Sequence, residues 1–66
     1  MPRTVKPFHL YDLDEYRRSE VTGDYIYAVG TCYAKTIRGA IKTFSENHTG
    51  SFVMVCDDTA KVVSIY

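Results

Sequence analysis

The side chains best suited to acid–base or nucleophilic chemistry are few and scattered along the chain. The two histidines, His9 and His48, are far apart, and no recognisable context supplies either with an orienting group and a nucleophile. Cys32 and Cys56 fall on separate predicted strands, and together with the histidines they match no known zinc-ligand spacing. We therefore expect no enzymatic activity and no metal site.

Asp57 and Asp58 form an adjacent pair of carboxylates, a combination that can serve acid–base catalysis. They are followed by Thr59, however, and Asp and Thr are residue types that turns select. We interpret this segment as the turn of a β-hairpin.

Length and composition limit the size of the fold. The chain has 66 residues and is 45% apolar, and a protein of this length buries only about 60% of the surface that its unfolded form exposes. We expect a single domain over residues 1–66, with residues 1–7 as an extended arm because they include two prolines and two basic residues. Because so small a core stabilises the fold only weakly, self-association or binding to a partner would add to its stability.

Charge balance and the lack of long apolar runs disfavour several classes of protein. Eight basic residues match eight acidic ones, whereas proteins that bind nucleic acid through its phosphates usually carry a basic excess. Nucleic acid is therefore a less favoured partner. The sequence contains no apolar run of about 18 residues and no signal-peptide core. We expect a cytoplasmic protein with free thiols and no membrane partner.

The strongest strand signal runs from Tyr25 to Tyr33, where aromatic and β-branched residues recur at every second position. Alternation places the larger side chains on one face, namely Tyr25, Tyr27, Val29, Thr31 and Tyr33. The other face carries mainly small side chains, which are Ile26, Ala28, Gly30, Cys32 and Ala34. Such a face lets a helix pack closely against the sheet.

That helix is predicted over residues 36–48. Its apolar positions recur with the helical period at Ile37, Ala40, Ile41 and Phe44. Thr36 is suited to cap the helix and Gly50 to end it. An apolar strand over residues 51–56, a turn over residues 57–60 and a last strand over residues 61–66 then predict a hairpin.

Two weaker signals precede these elements. Residues 8–11 alternate as a short strand. Residues 12–24 are dense in charge, and Asp12 with Glu15 three residues later can cap a helical turn, although an irregular loop fits equally well. Together the elements predict an α+β fold in which one helix packs on a three- to four-stranded, largely antiparallel sheet in the order β-β-α-β-β.

One helix covers only one face of a sheet, so we expect the tyrosine face to be exposed. Tyrosine offers a large amphipathic contact area at little cost in side-chain entropy, and Tyr25, Tyr27 and Tyr33 are therefore candidate anchors for another protein or a second copy of the chain. Two other interpretations remain open. The tyrosines pack at the sheet margin under residues 1–20, or they stack on the bases of single-stranded RNA or DNA.

A basic cluster surrounds the start of the predicted helix. Lys35, Arg38 and Lys42 lie near its N-terminal half, where the helix dipole favours acidic residues instead. Together with exposed backbone amides beside Thr36 and Gly39, Lys35 and Arg38 can bind a phosphate or a partner's carboxylates. The alternative is a solvated polar face that balances the acidic residues 12–24. No Walker A sequence or dinucleotide-binding fingerprint is present, so we expect no cofactor.

The segment from Tyr33 to Ile41, Tyr-Ala-Lys-Thr-Ile-Arg-Gly-Ala-Ile, resembles small bacteriophage host-takeover proteins, such as the small phage inhibitor of bacterial RNA polymerase. The likeness extends over residues 25–55. Lys35, Arg38 and Gly39 stand where the resemblance implies acidic residues at the helix start, and the last two strands lack the arginines that are important there for gripping the target. The resemblance implies a class, a compact viral protein that occupies a partner's surface, and no particular target.

We therefore predict a small non-enzymatic protein-interaction module, a phage-encoded inhibitor or modulator that sterically occupies a larger host protein. The predicted contact residues are Tyr25, Tyr27, Tyr33, Lys35, Arg38 and Lys42. The alternatives are a nucleic-acid-binding regulator that uses the basic helix and a homodimeric assembly module.

Overall fold

The computed structural model of the chain describes residues 5–66, which form two helices and four strands. The elements in chain order are β1 (Lys6–Asp12), α1 (Leu13–Thr22), β2 (Gly30–Ala34), α2 (Ile37–Phe44), β3 (Gly50–Cys56) and β4 (Thr59–Ile65). The predicted α+β class is confirmed. The predicted order with a single helix is wrong, because the acidic segment after β1 forms a helix of 10 residues.

All four strands pair antiparallel, in the order β2-β1-β3-β4. β1 pairs with β2 from Lys6 to Leu10 and with β3 from His9 to Asp12. β2 and β3 therefore run in the same direction on either side of β1, and α2 connects them. Lys6 and Pro7, which were expected in an extended arm, belong to β1, and residues 1–4 of that arm lie outside the described residues.

α1 forms because each of its ends has a hydrogen-bonding cap. The Asp12 carboxylate accepts a hydrogen bond from the Glu15 amide at 3.1 Å. Asp14 and Glu15 lie in the first turn, where the positive end of the helix dipole favours carboxylates. Gly23 ends the helix with a left-handed φ of 78°, and its amide donates to the Ser19 carbonyl at 2.7 Å. Of the two alternatives for this segment, the helix is the one that forms.

β2 is shorter than the predicted strand because β1 ends too early to pair with the first part of it. Continuing the register past the Leu10–Gly30 pair would set Tyr27 opposite Leu13, which is already in α1. A last backbone hydrogen bond joins the Val29 amide to the Leu10 carbonyl at 2.7 Å. The predicted strand is therefore wrong for the residues before Gly30, which form a loop.

α2 covers one face of the sheet and closes the main core. Thr36 caps it as predicted, since the Thr36 hydroxyl accepts a hydrogen bond from the Gly39 amide at 3.1 Å. The helix ends at Phe44, earlier than predicted, and the amides of Asn47 and His48 turn back to the Phe44 carbonyl. The buried residues of this core are Phe8, Leu10, Ala40, Phe44, Phe52, Met54 and Ile65.

The small side chains of β2 let α2 approach closely, as the sequence predicted. Gly30, Cys32 and Ala34 alternate on the face that carries the core. The Cys32 Sγ lies 4.0 Å from the Ala40 carbonyl oxygen, and a methyl group on Gly30 would stand 3.2 Å from a ring carbon of Phe44. Any side chain at Gly30 would therefore press against the helix.

α1 lies on the opposite face of the sheet, which was expected to be uncovered. Val53 pairs with Tyr11 and with Val62, so these side chains share the face that points away from α2. The Tyr16 ring of α1 lies 5.8 Å from the Tyr11 ring, and Val53 is only 4% exposed. The α1 side chains that line the space beside Val53 and Val62 are Leu13, Tyr16, Arg17 and Glu20. This face is therefore partly covered.

The closing hairpin has a tighter turn than predicted. Asp57 and Asp58 alone connect β3 to β4, and Asp57 has a left-handed φ of 55°. Aspartate is one of the few residues other than glycine that tolerate this conformation, because its short side chain can bond to nearby backbone. The turn sets Cys56 opposite Thr59 and fixes the register of the whole hairpin.

We predict that Gly30→Val lowers the free energy of unfolding by about 1–3 kcal/mol, because the added carbons overpack the contact with Phe44. Gly39→Ala is the matched control, since a methyl group there meets its nearest atoms at 3.4 Å and 3.7 Å. It should raise stability by up to about 1 kcal/mol, because alanine is the better helix former. Urea unfolding followed by circular dichroism measures both changes. Wild-type stability in Gly30→Val would contradict the close packing described here.

Candidate interaction surfaces

Two of the three predicted tyrosine anchors lie together in the loop that follows α1. The rings of Tyr25 and Tyr27 are 5.0 Å apart and meet edge to face, an arrangement that aromatic pairs favour. Their side chains are 82% and 78% exposed, whereas Ile26 and Ala28 are partly buried. The alternation expected of a strand thus persists in this loop, and it displays both rings at the surface.

The tyrosine pair borders a groove that runs along α1 and has a volume of about 470 Å³. Glu15, Arg18 and Asp24 bring charges of both signs to this groove. Exposed aromatic rings beside a polar rim are typical of surfaces that bind proteins. A platform for single-stranded nucleic acid differs, because its stacking rings stand in a positively charged groove.

Tyr33 lies apart from this pair, toward the other end of β2. It is 70% exposed and pairs with Pro7 of β1 on the face that points away from α2. His9 and Thr31 stand beside it on this face, with 3.1 Å between His9 Nδ1 and Thr31 Oγ1. The three tyrosines therefore form two separate exposed sites, and they do not form the continuous strip that the sequence predicted.

The predicted basic residues lie with α2, on the other face of the sheet. Lys35 precedes α2, whereas Arg38 and Lys42 lie on its exposed surface. Arg38 stands in a first turn that contains no acidic residue. Because α2 and Tyr33 lie on opposite faces, a flat partner surface cannot contact Tyr33 and the basic residues at the same time.

Lys35 joins two lysines that the sequence did not single out. With Lys6 of β1 and Lys61 of β4 it lines a cleft of about 310 Å³. Lys6 Nζ lies 3.2 Å from a carboxylate oxygen of Asp57, in an exposed ion pair. The one local signal for this site is that Lys6 is two residues from the buried Phe8 and so shares its face. The convergence of the three lysines arises only from the fold.

Cys32 and Cys56 are not neighbours across the sheet. Both lie on the α2 face, but Phe8 of β1 stands between them. Two strand spacings of about 4.8 Å each separate their backbones, which is too far for a disulfide. Both thiols are free. Burial raises the pKa of the Cys32 thiol, which lowers its thiolate fraction and its reactivity.

His48 is packed among aromatic rings. Its ring meets those of Phe44 and Phe52 edge to face at centroid distances of 6.1 Å and 6.0 Å. Its Nδ1 atom is buried without a hydrogen-bond partner. Within residues 5–66, no group of three or more His, Cys, Asp or Glu side chains is placed to hold a metal ion.

Comparison of the chain with protein-family models finds no match, and neither do comparisons with curated proteins and with solved structures. Over residues 5–66, no helix has the length and apolar character needed to cross a membrane. The surfaces described above are therefore the basis on which a function can be inferred.

We predict that iodoacetamide alkylates Cys32 slowly in the folded protein at about pH 8, because its raised pKa keeps the thiol protonated. The alkylation rate of Cys32 should keep rising as the pH passes through and above the ordinary range of thiol pKa values, because the reactive thiolate becomes abundant only at such a pH. Timed alkylation with mass spectrometry of the peptides measures this rate. Alkylation in urea is the control, and there Cys32 and Cys56 should react alike. Equal rates for Cys32 in the folded and the unfolded chain would contradict its burial.

Proposed function

We propose that this chain is a small non-enzymatic protein-interaction module and that the Tyr25–Tyr27 pair is the centre of its contact surface. The observation that carries the proposal is that two large aromatic side chains are about four-fifths exposed while they contact each other. Rings that hold each other in place lose little rotational freedom on binding, so more of their contact energy appears as affinity. Tyr33 supplies a second, separate contact.

The proposed mode of action is steric occupation of a larger protein. An interface of ordinary size buries about 800 Å² on each partner. This is about one sixth of the 4985 Å² of accessible surface of the chain, so a single contact would cover a substantial part of one side of it. A phage-encoded inhibitor or modulator of a host protein fits this mode, and the sequence resemblance to phage host-takeover proteins supports it.

The surroundings of the reactive side chains favour binding over catalysis. A nucleophilic cysteine needs a lowered pKa, and burial raises the pKa of Cys32 instead. The hydrogen-bond partner of the His9 ring is the Thr31 hydroxyl, which cannot orient a catalytic base as a carboxylate does. His48 is partly buried, and its ring packs edge to face against the rings of Phe44 and Phe52.

We predict that the double variant Tyr25→Ser/Tyr27→Ser loses the protein partner that the wild-type chain captures from a bacterial lysate. The expected loss is about 2 kcal/mol or more, or about 30-fold in affinity, because central aromatic anchors carry most of the energy of an interface. Affinity capture with mass spectrometry identifies the partner, and titration with the purified partner gives the ratio. The matched control is Tyr66→Ser, since Tyr66 is 98% exposed and lies outside both tyrosine sites.

Undiminished capture by the double variant would contradict the role of the pair. Sedimentation velocity at micromolar concentration distinguishes the proposal from the homodimer alternative. If the wild-type chain is a dimer and the double variant is a monomer, the tyrosines serve self-assembly. Titration with a labelled oligonucleotide separates the nucleic-acid alternative. Affinity that falls steeply with salt, with a slope that Lys42→Ala reduces, would favour that alternative over the proposal.

A further inference from the structure

A cleft of about 310 Å³ separates the start of α2 from the β3–β4 hairpin. Phe8 and Met54 form its floor, and Ile37 lies in its wall. Ile37 belongs to the apolar stripe of α2 but is 38% exposed, so the helix does not close the core at this end. The cleft therefore has an apolar surface that the chain itself leaves partly uncovered.

Three lysines from three different parts of the chain line this cleft. Lys6 comes from β1, Lys35 from the segment before α2, and Lys61 from β4. The carboxylate that lines it is Asp57, which pairs with Lys6 at 3.2 Å. Among residues 5–66, Lys35 and Lys61 have no carboxylate within 4.0 Å. The cleft carries an excess of positive charge although the whole chain has a formal charge of zero.

We propose that this cleft binds an acidic peptide segment of a partner protein that carries one aliphatic side chain. The aliphatic side chain covers Ile37, and the flanking carboxylates contact Lys35 and Lys61. The volume lies at the lower end of the range for ligand sites, which suits one or two side chains. The site goes beyond the proposed function, because Tyr25 and Tyr27 take no part in it.

Nucleic acid fits this cleft less well than a peptide. The aromatic ring in it, that of Phe8, is only 3% exposed and offers no face on which a base can stack. Phosphate groups alone would neutralise the charge of the lysines but would leave Ile37 exposed to water. A peptide with an aliphatic side chain between carboxylates both neutralises the lysines and covers Ile37.

Fluorescence anisotropy with the full chain and a fluorescein-labelled Glu-Glu-Leu-Glu-Glu peptide tests the proposal. We expect saturable binding that weakens about tenfold or more in the double variant Lys35→Gln/Lys61→Gln. The matched control Arg17→Gln/Arg18→Gln removes the same charge from α1, on the opposite face of the sheet, and should change the affinity by less than about twofold. Circular dichroism checks that all the variants are folded.

Two further peptides separate the contributions of charge and anchor. Gln-Gln-Leu-Gln-Gln lacks the carboxylates and Glu-Glu-Ser-Glu-Glu lacks the aliphatic side chain, and each should bind about tenfold more weakly or worse. Cys56 lines the cleft, so its alkylation rate shows whether the peptide binds there. The bound acidic peptide should slow its alkylation by about threefold or more relative to that of Cys32.

Three outcomes would overturn the proposal. They are the absence of binding to the wild-type chain, an equal loss of affinity in the cleft variant and the matched control, and tighter binding of a single-stranded oligonucleotide than of the peptide at the same salt concentration. The variant Tyr25→Ser/Tyr27→Ser should bind the peptide as the wild type does. A failure of this proposal is therefore distinguishable from a failure of the tyrosine surface.

Discussion

β1 is the element on which the rest of the fold depends, because it joins β2 to the β3–β4 hairpin. Its backbone pairs with β2 on one edge and with β3 on the other. Phe8 and Leu10 place the strand at the centre of the core, where they are 3% and 0% exposed. At Asp12 the same strand ends in a helix cap. The end of β1 therefore determines where α1 starts, and it leaves Tyr25 and Tyr27 without a partner strand, in the loop that displays them.

The second constraint is the width of the sheet compared with the width of a helix. Four strands at about 4.8 Å spacing are wider than one helix of about 10 Å, so a single helix on each face must leave part of that face open. On the α2 face the open part is the cleft beside Ile37. On the α1 face it includes Tyr33, and Val62 at the edge strand is 62% exposed. Within residues 5–66 no further helix or strand covers these parts, so the open surfaces follow from the geometry of the sheet.

Local signals in the sequence predicted those features that depend on neighbouring residues. Thr36 caps α2 through the Gly39 amide three residues later, and Gly30 allows the close approach of α2 because it lacks a side chain. The outward direction of Tyr25 and Tyr27 was also predicted, since alternation survives in the extended loop. Each of these features can be derived from residue type and short-range spacing.

The features that the sequence did not predict depend on distant residues. Whether residues 25–27 form a strand is decided by β1, because continuing its register would set them opposite residues 13–15, which are already in α1. The length of α1 also exceeds what its first residues indicate, because Asp12 and Glu15 are compatible with a single turn and the Gly23 cap completes the longer helix. Lys6, Lys35 and Lys61 are brought together by the pairing of β2 and β3 with β1 and of β4 with β3, so no local pattern in the chain reveals their cleft.

The neutral net charge conceals a separation of charge across the sheet. Five of the eight carboxylates lie in residues 12–24, together with two arginines, and most of this segment is α1. The three lysines of the cleft, Arg38 and Lys42 lie with α2. Because charges are screened beyond about 8–10 Å at physiological salt, this separation acts at the moment of contact and not over long distances. It therefore selects which face meets a given partner. Two sites on opposite faces can be occupied together, whereas two sites on one face would compete.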